Sequence, residues 1–141
     1  MAEHNDRIPL PMQILVGVDV VAIDRFREVL ARHPRVVERL FCASEQRWAA
    51  SQSDPVPSLA ARFAAKEAVM KVLGRGIGAL RFRDIEIERS PEGRPIVVLH
   101  DSARDRAAQL GVARVDCSLS HAAGVALAQA AALSMVDQRS T

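Results

Sequence analysis

The chain has 141 residues, of which 49% are hydrophobic and 26% are charged, and its formal net charge is +2. This length predicts a single domain, and the hydrophobic content excludes an intrinsically disordered chain. The mildly basic balance permits an acidic partner. Together with an aromatic content of only 4%, it argues against a small RNA-binding module, so we expect no nucleic-acid partner.

The cysteines and the apolar runs indicate the cellular compartment of the protein. Cys42 and Cys117 are too few for a disulfide framework, and the polar N-terminus lacks the features of a secretory signal. The apolar stretches at residues 14–23 and 124–136 are shorter than the roughly 20 residues that span a membrane. We therefore predict a cytoplasmic protein with reduced thiols and no membrane segment.

Patterns in the first half of the chain predict one strand followed by helices. Residues 1–12 contain two prolines and are expected to be a flexible leader, and the valine-rich residues 14–23 are expected to be a buried strand. Apolar spacing predicts helices over residues 24–32, 34–41, 44–48 and 59–73. The side chains expected to cap three of these helices are Asp24, Ser44 and Ser58. Prolines predict a loop at residues 51–58, and Gly74 is expected to end the longest helix.

Patterns in the second half predict a hairpin, a helix and a further pair of strands. Strands are predicted over residues 84–88, 94–99, 112–120 and 125–133, the first two as a hairpin. The alanines of the last segment also suit a helix, and residues 101–110 are predicted to be helical. The mixture indicates an α+β fold with an antiparallel sheet packed against helices. We expect one domain over residues 13–136, followed by a tail at residues 137–141.

Asp19 is the first candidate functional residue, because it lies within an apolar run. A carboxylate inside a buried strand needs a cation, a metal ion or hydrogen-bond donors as partners. An ion pair with an arginine would satisfy it as well as a functional site would, and residue type alone leaves both possibilities open.

The longest predicted helix carries three further candidates. Lys66 lies at helical spacing from Phe63 and Met70 and therefore shares their apolar stripe. Glu67 and Lys71 are one turn apart beside a face of alanines, which leaves room for another backbone or for a ligand. The alternative is an ordinary helix ion pair between them, worth about 0.2–0.5 kcal/mol.

Two short segments offer further polar groups. The loop containing Gly74 and Gly76 could present backbone N–H groups to a phosphate, but it follows a helix C-terminus, whose dipole disfavours an anion. Ser120 and His121 end a predicted strand, where neighbouring side chains point to opposite faces. They are therefore not an obvious nucleophile–base pair, and no nucleophile-elbow pattern supports a hydrolase.

Taken together and in chain order, these segments resemble the holo-acyl-carrier-protein synthase family of 4′-phosphopantetheinyl transferases. The most specific match is the string Arg62-Phe63-Ala64-Ala65-Lys66-Glu67-Ala68, which continues to Lys71 and Gly74. The other matching segments are Val16-Gly17-Val18-Asp19-Val20, Phe41 with Glu45, Asp84-Ile85-Glu86-Ile87, Gly93-Arg94-Pro95 and Ser118-Leu119-Ser120-His121. The chain departs from the family pattern at Cys42, where threonine is usual, and at Arg75 in the glycine loop, and its aromatic before the Asp-Ile-Glu-Ile strand is Phe82.

The resemblance implies an enzyme that moves the 4′-phosphopantetheine arm of coenzyme A onto a serine of apo acyl carrier protein and releases 3′,5′-ADP. It implies Mg²⁺ held by Asp19 and Glu67, with Glu67 and Lys71 as catalytic residues. The residues that it implies for coenzyme A binding are Lys66, Gly74, Gly76, Ser120 and His121. The general base stays open between Glu67 itself and a water on the metal.

The implied partner is a folded, acidic carrier protein. The helix predicted after the first strand presents Arg25, Val29 and Arg32 along one face, which suits docking onto an acidic helix, whereas a solvated face is the alternative. The resemblance also implies a homotrimer with active sites between subunits. It implies a role in lipid metabolism, with fatty acid and polyketide synthesis both open. The rival function is a coenzyme A- or nucleotide-binding regulator without catalysis.

Overall fold

The computed structural model describes residues 12–74 and 79–135. In chain order its elements are β1 (Gln13–Ala22), α1 (Ile23–Arg32), α2 (Val36–Leu40), α3 (Ala43–Ala50), α4 (Pro55–Leu73), β2 (Ile85–Arg89), β3 (Pro95–Leu99), α5 (Asp101–Gln109), β4 (Val112–Ala122) and β5 (Val125–Ser134). A short 3₁₀ turn, Phe82–Asp84, precedes β2. Residues 1–11 of the predicted leader, residues 75–78 of the glycine loop and the predicted tail lie outside the described residues.

The described strands form two antiparallel sheets. One has the order β1-β5-β4, and the other is the predicted hairpin of β2 and β3. The alanine-rich segment that suited either structure is β5, the central strand, whose buried alanines Ala126, Ala128 and Ala130 alternate with other side chains. The α+β class predicted from the sequence is confirmed. No helix among the described residues is long and apolar enough to cross a membrane.

Helix α4 packs across β1 and β5, and small residues allow it to approach closely. Ala64 and Ala68 are completely buried. A Cβ atom added to Gly17 of β1 would lie 2.1 Å from the carbonyl oxygen of Ala68, which is far inside van der Waals contact. Only glycine therefore permits this approach of strand backbone to helix backbone. The sequence left open whether the alanine face makes room for another backbone or for a ligand, and here it receives the backbone of β1.

Helix α4 begins earlier than predicted. It starts at Pro55, and Asp54 caps it by accepting a hydrogen bond from the Val56 N–H at 3.1 Å. Ser58 lies within the first turn, where its hydroxyl accepts a hydrogen bond from Arg62 instead of capping the helix. Proline is well tolerated in the first turn, because the N–H it lacks has no partner there, so the prolines start this helix and do not prolong the loop.

The other two predicted N-caps are also wrong. Helix α1 follows β1 directly and starts at Ile23, so Asp24 lies in its first turn and no side chain caps it. Helix α3 is capped by Cys42, and Glu45 accepts a hydrogen bond from the Cys42 N–H at 2.8 Å. The sequence pattern favoured Ser44 because serine caps more often than cysteine.

The sequence predicted β1 to be a buried strand, but only one of its two faces is buried. It is an edge strand whose inner face packs on α4, while its outward side chains are exposed within the single chain. The exposed side chains of β1 and of the neighbouring β5 form an outer apolar face, which consists of Ile14, Val16, Val18, Val20, Leu127 and Leu133. A contiguous apolar surface of this kind marks an interaction site in most soluble proteins.

Candidate active site

Asp19 and Glu67 line the same groove, at the junction of β1 and α4. This groove is open, measures about 520 Å³ and is also lined by Arg25 and Val29 of α1. Asp19 lies two residues after Gly17 and therefore on the same face of β1, directed toward α4. The close approach at Gly17 thus brings the strand carboxylate to the helix carboxylate. We call this space the carboxylate groove.

Lys71, one turn beyond Glu67 on α4, is fixed against β1. Its ammonium lies 3.5 Å from Asp19 Oδ1 and donates a hydrogen bond to the Val18 carbonyl oxygen at 2.7 Å. Within residues 12–74 and 79–135, the ion pair of Lys71 is therefore with the strand carboxylate and not with Glu67. The Lys71 side chain is 54% exposed, against 20% for Asp19, so the ammonium remains accessible to a substrate anion.

The negative charge of Asp19 affects Glu67. Burial raises the pKa of Glu67, the negative charge of Asp19 raises it further, and Lys71 opposes both effects. Two like charges at one site favour a bound cation. The described residues contain no group of three or more metal-ligating His, Cys, Asp or Glu side chains. Two carboxylates with the remaining positions left to water and phosphate oxygens are a donor set that fits Mg²⁺.

Lys66 does not reach this groove, and its burial argues against the predicted contact with coenzyme A. The side chain is completely buried, and its ammonium donates to Glu45 Oε1 at 2.7 Å and to the carbonyl oxygens of Phe82 at 2.9 Å and Ile85 at 2.6 Å. Burial lowers the pKa of Lys66, and the paired Glu45 opposes that shift. Because all three donors are used inside the protein, Lys66 joins α4 to the turn before β2.

Glu45 and Cys42 complete the buried arrangement around Lys66. The second carboxylate oxygen of Glu45 accepts a hydrogen bond from the Ile87 N–H at 3.1 Å. The Cys42 thiol donates to the Arg83 carbonyl oxygen at 3.1 Å, and burial raises the pKa of this thiol to about 11. The thiol is therefore protonated at neutral pH, and the departure from the family's threonine places no nucleophile here.

Ser120 and His121 lie in a different groove from Asp19 and Glu67. Their groove is lined by the start of α4, by α3 and by the hairpin turn, and it measures about 380 Å³. Both residues are exposed at the end of β4, where Ser120 pairs with Leu127 and His121 pairs with the buried Ala126. The two side chains therefore point to opposite faces of the sheet. A single chain does not bring all the predicted site residues together.

Two arginines that the sequence did not single out lie in this second groove. The guanidinium groups of Arg62 and Arg89 lie 5.7 Å and 4.9 Å from the ring centre of Trp48. Arg62 is buried, and its Nε atom has no hydrogen-bond partner among the described residues. Burial lowers the pKa of Arg62, Glu45 raises it, and the charge of Arg89 lowers it. The adjacent positive charges of Arg62 and Arg89 favour an anionic ligand in this groove. We call this space the arginine–tryptophan groove.

The remaining predicted residues lie at the edges of these sites. Arg25 and Val29 line the carboxylate groove beside Asp19, whereas Arg32 is exposed at the end of α1. Gly74 ends α4 in the left-handed conformation, with φ of 66°, as expected for a helix-terminating glycine. Gly76 lies outside the described residues.

Residues 15–130 match the family model of the 4′-phosphopantetheinyl transferase superfamily. A holo-[acyl-carrier-protein] synthase of Moorella thermoacetica is 48% identical over 117 residues, which cover 80% of this chain and 91% of that protein. The chain belongs to the holo-acyl-carrier-protein synthase family. The resemblance that was seen in the sequence motifs is thereby confirmed.

Solved structures of the family share the fold. The holo-[acyl-carrier-protein] synthase of Helicobacter pylori, in complex with coenzyme A, is 32% identical with a TM-score of 0.74, and the match covers 84% of this chain and 99% of that one. The synthase of Neisseria meningitidis is 31% identical with a TM-score of 0.77 and covers 84% of this chain and 96% of that one. The synthase fold therefore extends over nearly the whole described part of this chain.

Proposed function

We propose that this chain transfers the 4′-phosphopantetheine group of coenzyme A to a serine of an apo acyl carrier protein and releases 3′,5′-ADP. The observation that carries the proposal is the meeting of Asp19 and Glu67 in one groove, with Lys71 beside them, in a chain that is 48% identical to a holo-[acyl-carrier-protein] synthase. A related synthase binds coenzyme A, which supports coenzyme A as the donor.

Lys71 is placed to stabilise the negative charge that develops during transfer. The reaction forms a bond between the carrier's serine oxygen and the phosphorus that bears pantetheine, and it breaks the bond from that phosphorus to 3′,5′-ADP. Negative charge accumulates on the departing 3′,5′-ADP. The exposed ammonium of Lys71, oriented by the Val18 carbonyl oxygen, offers a cation to that charge. An interaction that strengthens as charge develops lowers the barrier.

Asp19 and Glu67 would hold Mg²⁺ in the carboxylate groove. When bound, the ion would offset the charge of the pyrophosphate oxygens. Glu67 is partly buried, and its pKa is raised first by that burial and then by the negative charge of Asp19, which Lys71 opposes. A cation at this position offsets the repulsion between the two carboxylates, which gives the two side chains a physical reason to lie side by side.

Coenzyme A is bound between subunits of a homotrimer. The outer apolar face supports an assembly, because its side chains are between 39% and 69% exposed in the single chain. Ser120 lies on that same outward face, opposite Leu127 of β5. Association through this face would carry the arginine–tryptophan groove of one subunit toward the carboxylate groove of the next. One subunit then provides Asp19, Glu67 and Lys71, and its neighbour provides the anion site with Ser120 and His121.

Mixing two inactive variants tests this shared site. We expect Asp19→Ala and His121→Ala each to lose activity, because each removes one half of the site. When the two variants are unfolded together and refolded in equal amounts, about a quarter of the sites would contain both intact halves, since neighbouring subunits assemble at random. Recovery of about a quarter of wild-type activity supports the shared site. No recovery from a mixture that forms mixed trimers would contradict it.

The partner and the compartment follow from charge and thiol chemistry. Arg25 and Val29, which line the carboxylate groove, suit an acidic carrier protein whose serine must reach that groove. Cys42 and Cys117 are both free, and burial raises the pKa of each to about 11. Two unpaired cysteines support function in the reducing cytoplasm.

Turnover distinguishes the transferase from the rival function, a regulator that binds coenzyme A without catalysis. We expect stoichiometric release of 3′,5′-ADP when the protein is incubated with coenzyme A, Mg²⁺ and an apo carrier protein. If the protein binds coenzyme A but releases no 3′,5′-ADP with any of several apo carrier proteins, the regulator would be favoured.

A further inference from the structure

A third groove adjoins the carboxylate groove. It lies between α2, the turn before β2 and the start of α5, and it measures about 890 Å³. Leu40 lines both grooves, and Phe82 at the base of this one stacks on Phe63 of the other, with ring centres 5.4 Å apart. The two spaces therefore share one apolar wall. None of the steps of phosphopantetheine transfer derived above uses this third groove.

Four arginines surround this groove, which we call the arginine groove. They are exposed and come from α2, from the turn before β2 and from α5: Arg39, Arg81, Arg83 and Arg104. Within residues 12–74 and 79–135, none of the four guanidinium groups has a carboxylate in ion-pair distance. Exposed cations without partners on one concave surface attract an acidic ligand.

The carboxylates at the base of the groove are already committed to the protein. Asp84 is buried and accepts hydrogen bonds from the N–H and the hydroxyl of Ser102. Glu86 accepts a hydrogen bond from Ser44 and lies 3.1 Å from His100 Nε2. These hydrogen bonds hold the two carboxylates at the base of the groove, where Asp84 is buried and Glu86 is half-buried. Among the exposed side chains of the lining, four arginines face only Glu38 and Asp101, so the exposed rim carries more positive than negative groups.

We propose that the arginine groove is a second docking surface for the acidic carrier protein, beside the face of α1, and this rests on the proposed function. A carrier that presents its serine to Asp19 and Glu67 must lie over the carboxylate groove. Leu40 lines both that groove and the arginine groove, so the carrier also lies beside the arginine groove. Its acidic surface then meets cations on both sides of the reacting serine. Dispersed cations around an open groove suit the dispersed charges of a folded protein, whereas the phosphates of coenzyme A have Lys71 and the arginine–tryptophan groove.

Charge reversal at the rim tests the proposal. Arg83→Glu and Arg104→Glu should each raise the KM for the carrier protein by about tenfold at low salt, because charge reversal turns an attraction into a repulsion. The KM for coenzyme A should be unchanged. Arg47→Glu is the matched control: Arg47 is exposed on α3, lines neither groove, and should leave both KM values near wild type. The excess KM of the groove variants should shrink as ionic strength rises.

Each alternative outcome has a distinct signature. If the wild-type protein shows no transfer, the proposed function fails before the groove is tested. If transfer occurs and Arg25→Glu weakens carrier binding while both groove variants match Arg47→Glu, the second docking surface is wrong. If the groove variants raise the KM for coenzyme A and not that for the carrier, the groove binds coenzyme A and the proposal is also wrong. Thermal unfolding of each variant shows that the comparison is between folded proteins.

Discussion

Lys71 on α4 lies 3.5 Å from Asp19 on β1, and it donates a hydrogen bond to the Val18 carbonyl oxygen at 2.7 Å. A helix cation is therefore fixed against the strand that carries the proposed metal ligand, while Glu67, one turn earlier, lines the same groove as Asp19. This arrangement assigns different roles to two neighbouring residues of one helix, and the roles are separable by experiment.

Glu67→Gln and Lys71→Ala should respond differently to Mg²⁺. Glu67→Gln removes a ligand charge and keeps the shape, so it should weaken Mg²⁺ activation, and higher Mg²⁺ should restore part of the rate. Lys71→Ala removes a cation that acts as charge develops, so kcat should fall by about tenfold or more and added Mg²⁺ should not restore it. Titrating Mg²⁺ against kcat measures both effects. Identical Mg²⁺ responses in the two variants would contradict this division of roles.

Gly17→Ala should separate β1 from α4. Its new methyl group would lie 2.1 Å from the Ala68 carbonyl oxygen and 3.0 Å from Lys71 Cβ. Relief of this overlap must move Asp19 away from Glu67 and Lys71. We expect a loss of about 1–3 kcal/mol or more in the free energy of unfolding, because overpacking strains the backbone. The protein that remains folded should also need more Mg²⁺ for activity. Wild-type stability together with a wild-type Mg²⁺ requirement would show that the close approach does not position Asp19.

Lys66→Met should affect stability and not the affinity for coenzyme A. It leaves the buried Glu45 carboxylate without its cation, which costs about 3–5 kcal/mol when one partner of a buried pair is removed. The double variant Lys66→Met/Glu45→Gln should recover part of this loss, because both charges of the buried pair are then removed together and the amide can still accept from the Ile87 N–H. Chemical denaturation measures both. A stable Lys66→Met protein with a raised KM for coenzyme A would instead support the predicted role of Lys66 in coenzyme A binding.

Arg25→Glu should weaken binding of the carrier protein and leave binding of coenzyme A unchanged. Arg25 lines the carboxylate groove from α1, where an acidic carrier must approach. Steady-state kinetics with each substrate varied should show a carrier KM about tenfold higher at low salt, and the difference should decrease as salt is added. A raised KM for coenzyme A alone, or a carrier KM that does not depend on salt, would contradict docking on α1.

Motifs predicted that Asp19 and Glu67 would lie together, as they do in the carboxylate groove, but not how every motif residue is surrounded. The string around Glu67, together with Asp19 and Lys71, led to the carboxylate groove because those residue types are tied to one chemistry. Lys66 shares that string, yet its three partners include the carbonyl oxygens of Phe82 and Ile85, which are distant in sequence. Whether a lysine on an apolar stripe finds such acceptors depends on tertiary packing, which periodicity does not contain.

Other features of the structure differ in how far the sequence could predict them. An isolated glycine in a strand pattern signals a close backbone approach, so the role of Gly17 was available from the sequence. The anion site around Trp48 was not, because Arg62 and Arg89 come from different elements and meet only in the fold. The apolar run of β1 predicted a buried strand, but one chain covers only the inner face of that strand.

The most direct measurement of the central claim is the intact mass of an apo carrier protein after incubation with coenzyme A and Mg²⁺, with wild-type enzyme and Asp19→Ala compared side by side. We predict that wild-type enzyme adds one phosphopantetheine group to each carrier, and that Asp19→Ala, folded as judged by its thermal unfolding, adds none on the same timescale. A serine-to-alanine carrier is the control for the site of attachment. Modification of the carrier by Asp19→Ala at the wild-type rate in saturating Mg²⁺ would contradict the account.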